Sequence, residues 1–177
     1  MNWKLFNLSL VEIAASLIVG LSVLFISSYI LTIYARKKYK VQSYNLSYAL
    51  LKASILFSMA YLMESVLDPL ISTFRYLSGH QDVTILQTIL YSSGYLVGYF
   101  MIAAIYAGLT IIISLKAYTY LSTKFLHIVE IEEIRNNNLA VGLITGIFVI
   151  IMSILLKQGL ALLIESLIPI PEFPKFN

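Results

Sequence analysis

The chain has 177 residues, 59% of them hydrophobic and only 12% charged, with a mean hydropathy of +0.86. Soluble domains carry about twice that charged fraction, so the composition excludes an ordinary water-soluble domain. The absence of cysteine excludes disulfides, thiolate metal sites and catalytic thiols, two distant histidines (His80 and His127) make no metal cluster, and a net charge of +3 is too small for a nucleic-acid surface.

Crossing a bilayer takes about 20 mainly apolar residues. Four stretches qualify, at about 8–34, 46–73, 88–120 and 139–168. The runs are continuous rather than short and alternating, so they read as helices and not as strands of a barrel. The first run is too long for a signal-peptide core of about 7–15 residues and has no small-residue cleavage site after it. A retained first span is therefore expected. The reading is an all-α membrane protein with four transmembrane helices and a single membrane domain over residues 1–177.

The first connection holds Arg36, Lys37, Lys38 and Lys40, and the third adds Lys116, Lys124 and Arg135. Basic residues are retained on the cytoplasmic side, which places both termini outside. The loop between the second and third runs, about Tyr76 to Gln87, reads as a plain turn. In the third connection, residues 127–135 carry Ile128, Ile131 and Ile134 every three residues, with Glu130, Glu132, Glu133 and Arg135 around them. That pattern predicts a short amphipathic helix at the cytoplasmic surface, docked on the basic first loop of this or a neighbouring subunit or simply solvated.

Asn45-Leu-Ser-Tyr-Ala-Leu-Leu-Lys-Ala53 overlies Asn138-Leu-Ala-Val-Gly-Leu-Ile-Thr-Gly146 at a constant offset. Asn45/Asn138, Leu46/Leu139, Leu50/Leu143, Met59/Met152 and Leu62/Leu155 match. The spans therefore read as a two-fold parallel internal repeat of helix pairs, one copy at about 8–73 and the other at about 88–168. Helical spacing puts Ala49, Ala53, Ala60, Glu64 and Asp68 on one stripe, and Gly142, Gly146, Ser153, Lys157 and Ala161 on its counterpart. Small residues four apart let helices approach closely in lipid, so the second and fourth spans are expected to pack through these faces. Gly94 and Gly98 give the third span a similar notch. Asn45 and Asn138 open their helices, as N-caps or as polar groups around a pore mouth.

The segment Glu133-Ile134, Asn138, Ala140, Gly142 and Gly146 resembles the YjfL-like inner-membrane proteins, a bacterial family designated domain of unknown function 350. The family pattern is an acidic-isoleucine pair, then an asparagine-x-alanine step into a glycine-bearing helix, in two units that make four spans. The first unit here keeps Asn45 but has Ser47 for the alanine and Ala53 for the glycine, and no acidic-isoleucine pair precedes it. The resemblance extends from about Ile30 onward. It implies a bacterial inner-membrane location and, as a partner class, proteins of membrane stress and membrane scaffolding. It implies no activity.

Ionisable groups in hydrocarbon cost roughly 2.5–3.5 kcal/mol on insertion scales and are candidates for function. Glu12, Asp68 and Glu165 fall near outer helix ends, and Lys52 and Lys116 near inner ones, where they reach headgroups by snorkelling. Glu64 and Lys157 occupy equivalent positions in the two repeats, deeper in the bilayer. They form an interhelical ion pair, part of a water-filled path, or two separate snorkelling groups.

Two functions follow, of which the sequence favours the first. One is an oligomeric ion channel or conduit, with Glu12, Glu64, Asp68 and Glu165 attracting cations at the outer side and Ser92, Ser93, Thr110 and Ser114 available as lining. The other is a non-conducting scaffold or partner subunit, likewise homo-oligomeric, whose basic loop and acidic segment contact a cytoplasmic membrane-associated protein. An enzyme is not expected: no histidine-carboxylate set, phosphate-cradling loop or nucleophile with a neighbouring base occurs, and no cofactor is implied.

Overall fold

A computed structural model describes residues 3–40, 45–66, 85–127 and 129–167. The helices are α1 (Trp3–Tyr39), α2 (Leu46–Glu64), α3 (Ile85–Leu126), the short α4 (Glu130–Arg135) and α5 (Leu139–Leu167), with no strand among the described residues. Three of them contain stretches long and apolar enough to cross a membrane: Leu46–Glu64, Val97–Phe125 and Leu139–Leu167. The fold is an all-helical membrane protein.

The expected boundaries shift in two places. The second span was read to residue 73, but α2 ends at Glu64, where the Ser65 amide bonds the Leu62 carbonyl. Of the basic residues read as the first loop, Arg36, Lys37 and Lys38 instead belong to the last turn of α1, which runs through Tyr39. Lys40 follows with a φ of 50°, in the left-handed region.

α5 packs chiefly against α2 and then α3, while α1 rests on α2. α2 and α5 run parallel: the Ser47 hydroxyl donates to the Asn138 carbonyl at one end, and Lys157 meets Glu64 at the other. α3 runs antiparallel to α5, because Tyr106 reaches the Leu156 carbonyl while the Tyr118 ring packs at a tilt against Phe148. The core comprises Leu51, Ile55, Met59 and Leu62 of α2, Ala103, Ala107 and Ile111 of α3, and Val149, Leu160 and Ile164 of α5.

The outward faces are equally apolar. Val97, Met101, Ile105 and Leu109 repeat every four residues along the exposed side of α3. Helices apolar all round are those that live in lipid. What distinguishes the inner faces is small polar residues. Ser114, Thr145 and Ser153 are buried, and each donates to the carbonyl four residues earlier in its own helix. These three fill little volume and satisfy themselves locally, so backbones approach closely at their level, whereas the buried Ser58 hydroxyl of α2 has no hydrogen-bond partner.

Candidate functional site

The seam between α2 and α5 gathers most of the polar residues that the sequence singles out. It is closed by glycine. A Cβ built on Gly142 would lie 2.9 Å from the Ser47 carbonyl carbon, and one on Gly146 would lie 2.8 Å from the Ser54 Cβ. At the first position both the side chain and the backbone of Ser47 stand in the way, and at the second the Ser54 side chain. The α5 stripe lies where the sequence places it: Gly142, Gly146 and Ser153 are buried and Lys157 is half-buried.

The α2 side differs. Ala49, Ala53 and Ala60 are exposed, and Ser47, Leu51, Ile55, Ser58 and Leu62 face inward. In a helix apolar on every side, small residues do not by themselves fix its rotation. Hydrogen bonds at its start do. Gly94 and Gly98 are likewise not packing positions, since a Cβ on either has nothing within 4 Å. The close-packed stripe of α3 is Ala103 and Ala107, one turn apart and both fully buried.

At the start of α2 the polar groups form a clasp. Asn45 Oδ1 accepts from the Tyr48 amide at 2.7 Å and so caps α2. The same side chain donates through Nδ2 to the carbonyls of Ile134 at 2.6 Å and Arg135 at 3.2 Å, capping the end of α4. Asn137 returns the favour: its Oδ1 accepts from the Ser47 amide at 3.0 Å. Asn137 has a φ of 62°, and the Asn138 amide bonds the Glu133 carbonyl at 2.9 Å. This is a left-handed helix terminus, a conformation that asparagine tolerates better than most residues. The Asn138 side chain donates to Glu133 at 2.8 Å, and its backbone carbonyl accepts from the Gly142 amide at the entry to α5. Asn45 is only 8% exposed with its amide engaged on both sides, so it joins α2 to α4.

α4 is rotated from its expected setting. Ile134 is buried, but Ile131 is exposed, and the residue that joins Ile134 inside is Glu130, one turn earlier and 2% exposed. Neither carboxylate oxygen of Glu130 has a hydrogen-bond partner. The clasp explains the rotation: Asn45 holds the carbonyls of Ile134 and Arg135 and thereby selects which face of so short a helix turns inward. Ile128 lies outside the described residues. α4 packs on α5, α2 and α3, whereas docking on the basic end of α1 was one expectation.

At the other end, Lys157 Nζ lies 2.9 Å from Glu64 Oε2 and 4.3 Å from the centre of the Tyr61 ring. Glu64 is the last residue of α2, about 27 Å along the helix from Leu46, against a hydrocarbon thickness of about 30 Å. The pair therefore stands at the far end of α2 from the asparagine clasp. Its side chains are 26% (Lys157) and 58% (Glu64) exposed. Glu165 is exposed, and Arg36, Lys37 and Lys40 are exposed around the end of α1. Asp68, and the side chains of Glu12, Lys38, Ser92 and Ser93, lie outside the described residues. Thr110 and Ser114 are buried between helices, and the Ser114 hydroxyl donates to the Thr110 carbonyl. No group of three or more potential metal ligands occurs among the described residues.

Sequence reasoning missed three contributors: Asn137, Ser47 and Glu130. A run of three asparagines after a short helix is the one signal that could have revealed the turn. Comparison with family models, with curated proteins and with solved structures gives no match.

Proposed function

We propose that this is a four-span, internally duplicated inner-membrane protein that acts as a non-conducting scaffold or partner subunit. α1 supplies the fourth span, with large apolar side chains such as Leu17, Ile18, Phe25 and Ile26 exposed along it. The register of the seam supports the duplication: Lys157 meets Glu64 across 93 residues, the offset that also aligns Asn138 with Asn45. Equivalent positions of the two copies thus touch, as they do around a two-fold axis along the membrane normal. The basic end of α1 then lies in the cytoplasm, with both chain termini outside. The resemblance to the YjfL-like family agrees with this location and partner class.

The observation that carries the scaffold reading is that the seam is closed at both ends. The asparagine clasp fixes α4 to the bundle, and the Glu64 carboxylate is matched by Lys157 at the other end of α2. The Glu64 carboxylate is thus neutralised, and of the hydroxyls available to line a conduit Thr110 and Ser114 are buried in helix contacts. The clasp also presents Val129, Ile131, Glu132 and Arg135 as an exposed, rigidly held cytoplasmic surface.

Reconstitution of the full chain into liposomes loaded with proton- or potassium-sensitive dye tests this. Flux equal to that of protein-free liposomes is expected. Flux that depends on protein and is abolished by Glu64→Gln would overturn the scaffold and favour a conduit formed by several copies.

A further inference from the structure

α4 is set apart from the long helices on either side of it. His127, just after α3, has a φ of 55°, and Asn137, just after α4, has a φ of 62°. Each breaks the helical path, so neither long helix propagates through α4. With only six residues, α4 gains little from its own backbone bonds and stays folded through its contacts with the bundle. Those contacts pull in opposite directions.

At the C-terminal end of α4 they favour docking. Asn45 donates to the carbonyls of Ile134 and Arg135, Asn137 accepts from the Ser47 amide, and the Ile134 side chain is buried. At the N-terminal end they oppose it. Val129 makes no side-chain cap, and the next residue, Glu130, is 2% exposed with neither carboxylate oxygen hydrogen-bonded. Among the described residues no cation pairs with it; the ion pair of Lys157 with Glu64 lies at the far end of α2. A buried carboxylate without partners carries a large desolvation cost, which water relieves.

We propose that α4 is a flap that alternates between this docked position and an open one in which Glu130 enters water. The asparagine clasp holds it shut, and Glu130 drives it open. His127 and Asn137 are the hinges: both residue types enter the left-handed region more readily than most, and hinges lie at such element ends. Opening lifts Ile134 and Glu130 off the bundle and uncovers Ser47 at the start of α2. The surface of Val129, Ile131, Glu132 and Arg135 is therefore rigid only while the flap is shut, and opening switches it off. That consequence for a partner rests on the scaffold reading; the opening itself does not, and protein-dependent flux in liposomes would leave it standing.

The chain has no cysteine, so a single introduced thiol reports the opening. Ile134→Cys places one on the buried face of α4, and Val149→Cys, at a fully buried position of α5, reports global unfolding. The full chain in nanodiscs is treated with a water-soluble maleimide. The Ile134 variant is expected to react at least tenfold faster than the Val149 variant. Adding Glu130→Met should slow it about tenfold, by removing the group that drives opening, and adding Glu132→Met should not. Hydrogen exchange at the Ser47 amide, whose acceptor is Asn137, measures the same opening in the cysteine-free chain and decides if Ile134→Cys itself loosens α4. Glu130→Met should slow that exchange as well. Labelling of the Ile134 variant at the Val149 rate, Ser47 exchange indifferent to Glu130→Met, or equal slowing by Glu132→Met would each overturn the flap.

Discussion

Replacing Gly142 by alanine tests the seam most directly. The new Cβ would stand 2.9 Å from the Ser47 carbonyl carbon, whereas ordinary carbon contacts lie at about 3.5–4.0 Å. The obstacle includes backbone, so α2 and α5 must separate by about 1 Å at this level. The clasp lies within about a turn, and three of its bonds lengthen: Ser47 Oγ to Asn138, now 2.7 Å, Ser47 N to Asn137, now 3.0 Å, and Asn45 Nδ2 to Ile134, now 2.6 Å. At about 0.6–1 kcal/mol each the loss is about 2–3 kcal/mol. Alanine's better helix propensity offsets about 1 kcal/mol. The net cost is about 1–2 kcal/mol, a fall in midpoint of roughly 2–8 °C for a chain of this size. Thermal unfolding in detergent, followed by circular dichroism and by loss of monodisperse elution, measures it. Gly98→Ala is the control, because its Cβ meets nothing within 4 Å and should be neutral or mildly stabilising. Equal stability of the Gly142 variant and wild type, or equal damage at Gly98, would refute the argument.

The remaining predictions use the same measurement. Gly146→Ala should destabilise, and adding Ser54→Gly should restore the midpoint, because a side chain and not backbone stands in the way there. Lys157→Gln should cost more than Glu64→Gln, since it loses the Tyr61 ring contact as well as an exposed ion pair worth about 0–1 kcal/mol; exchanging the charges, Glu64→Lys with Lys157→Glu, should recover part of either loss, and a double variant no better than the worse single one would exclude the pairing. Glu130→Met should raise stability by about 1–3 kcal/mol by removing two buried acceptors without partners, while Glu132→Met at an exposed position should not. Asn45→Asp should be worse than Asn45→Ala: it keeps the cap on Tyr48 but sets a carboxylate against the carbonyls of Ile134 and Arg135. A midpoint for the aspartate variant above that of the alanine variant would show that Asn45 does not join the two helices.

Several features were legible in the residues alone. Long uninterrupted apolar runs identify membrane helices, because lipid leaves unpaired backbone groups no partner. The constant offset between Asn45 and Asn138 aligned Glu64 with Lys157, and the i, i+4 glycines marked the face of α5. Other features were not. α2 is apolar on every side, so periodicity says nothing about which side turns inward, and alanines that share a stripe remain in lipid. The rotation of α2 and α4 depends on Asn45, whose amide bonds carbonyls 89 and 90 residues further along the chain. The burial of Glu130 follows from that joint, since a helix of six residues is too short for its own pattern to select its orientation. That the Glu64–Lys157 pair stands at the very end of α2 depended on where α2 stops, which apolar composition continuing to residue 73 concealed. Composition thus determined the solvent the helices live in and which residues were small enough to pack. Only tertiary contact decided which faces meet, because in lipid both faces of a helix are equally apolar and a few long-range hydrogen bonds settle the choice.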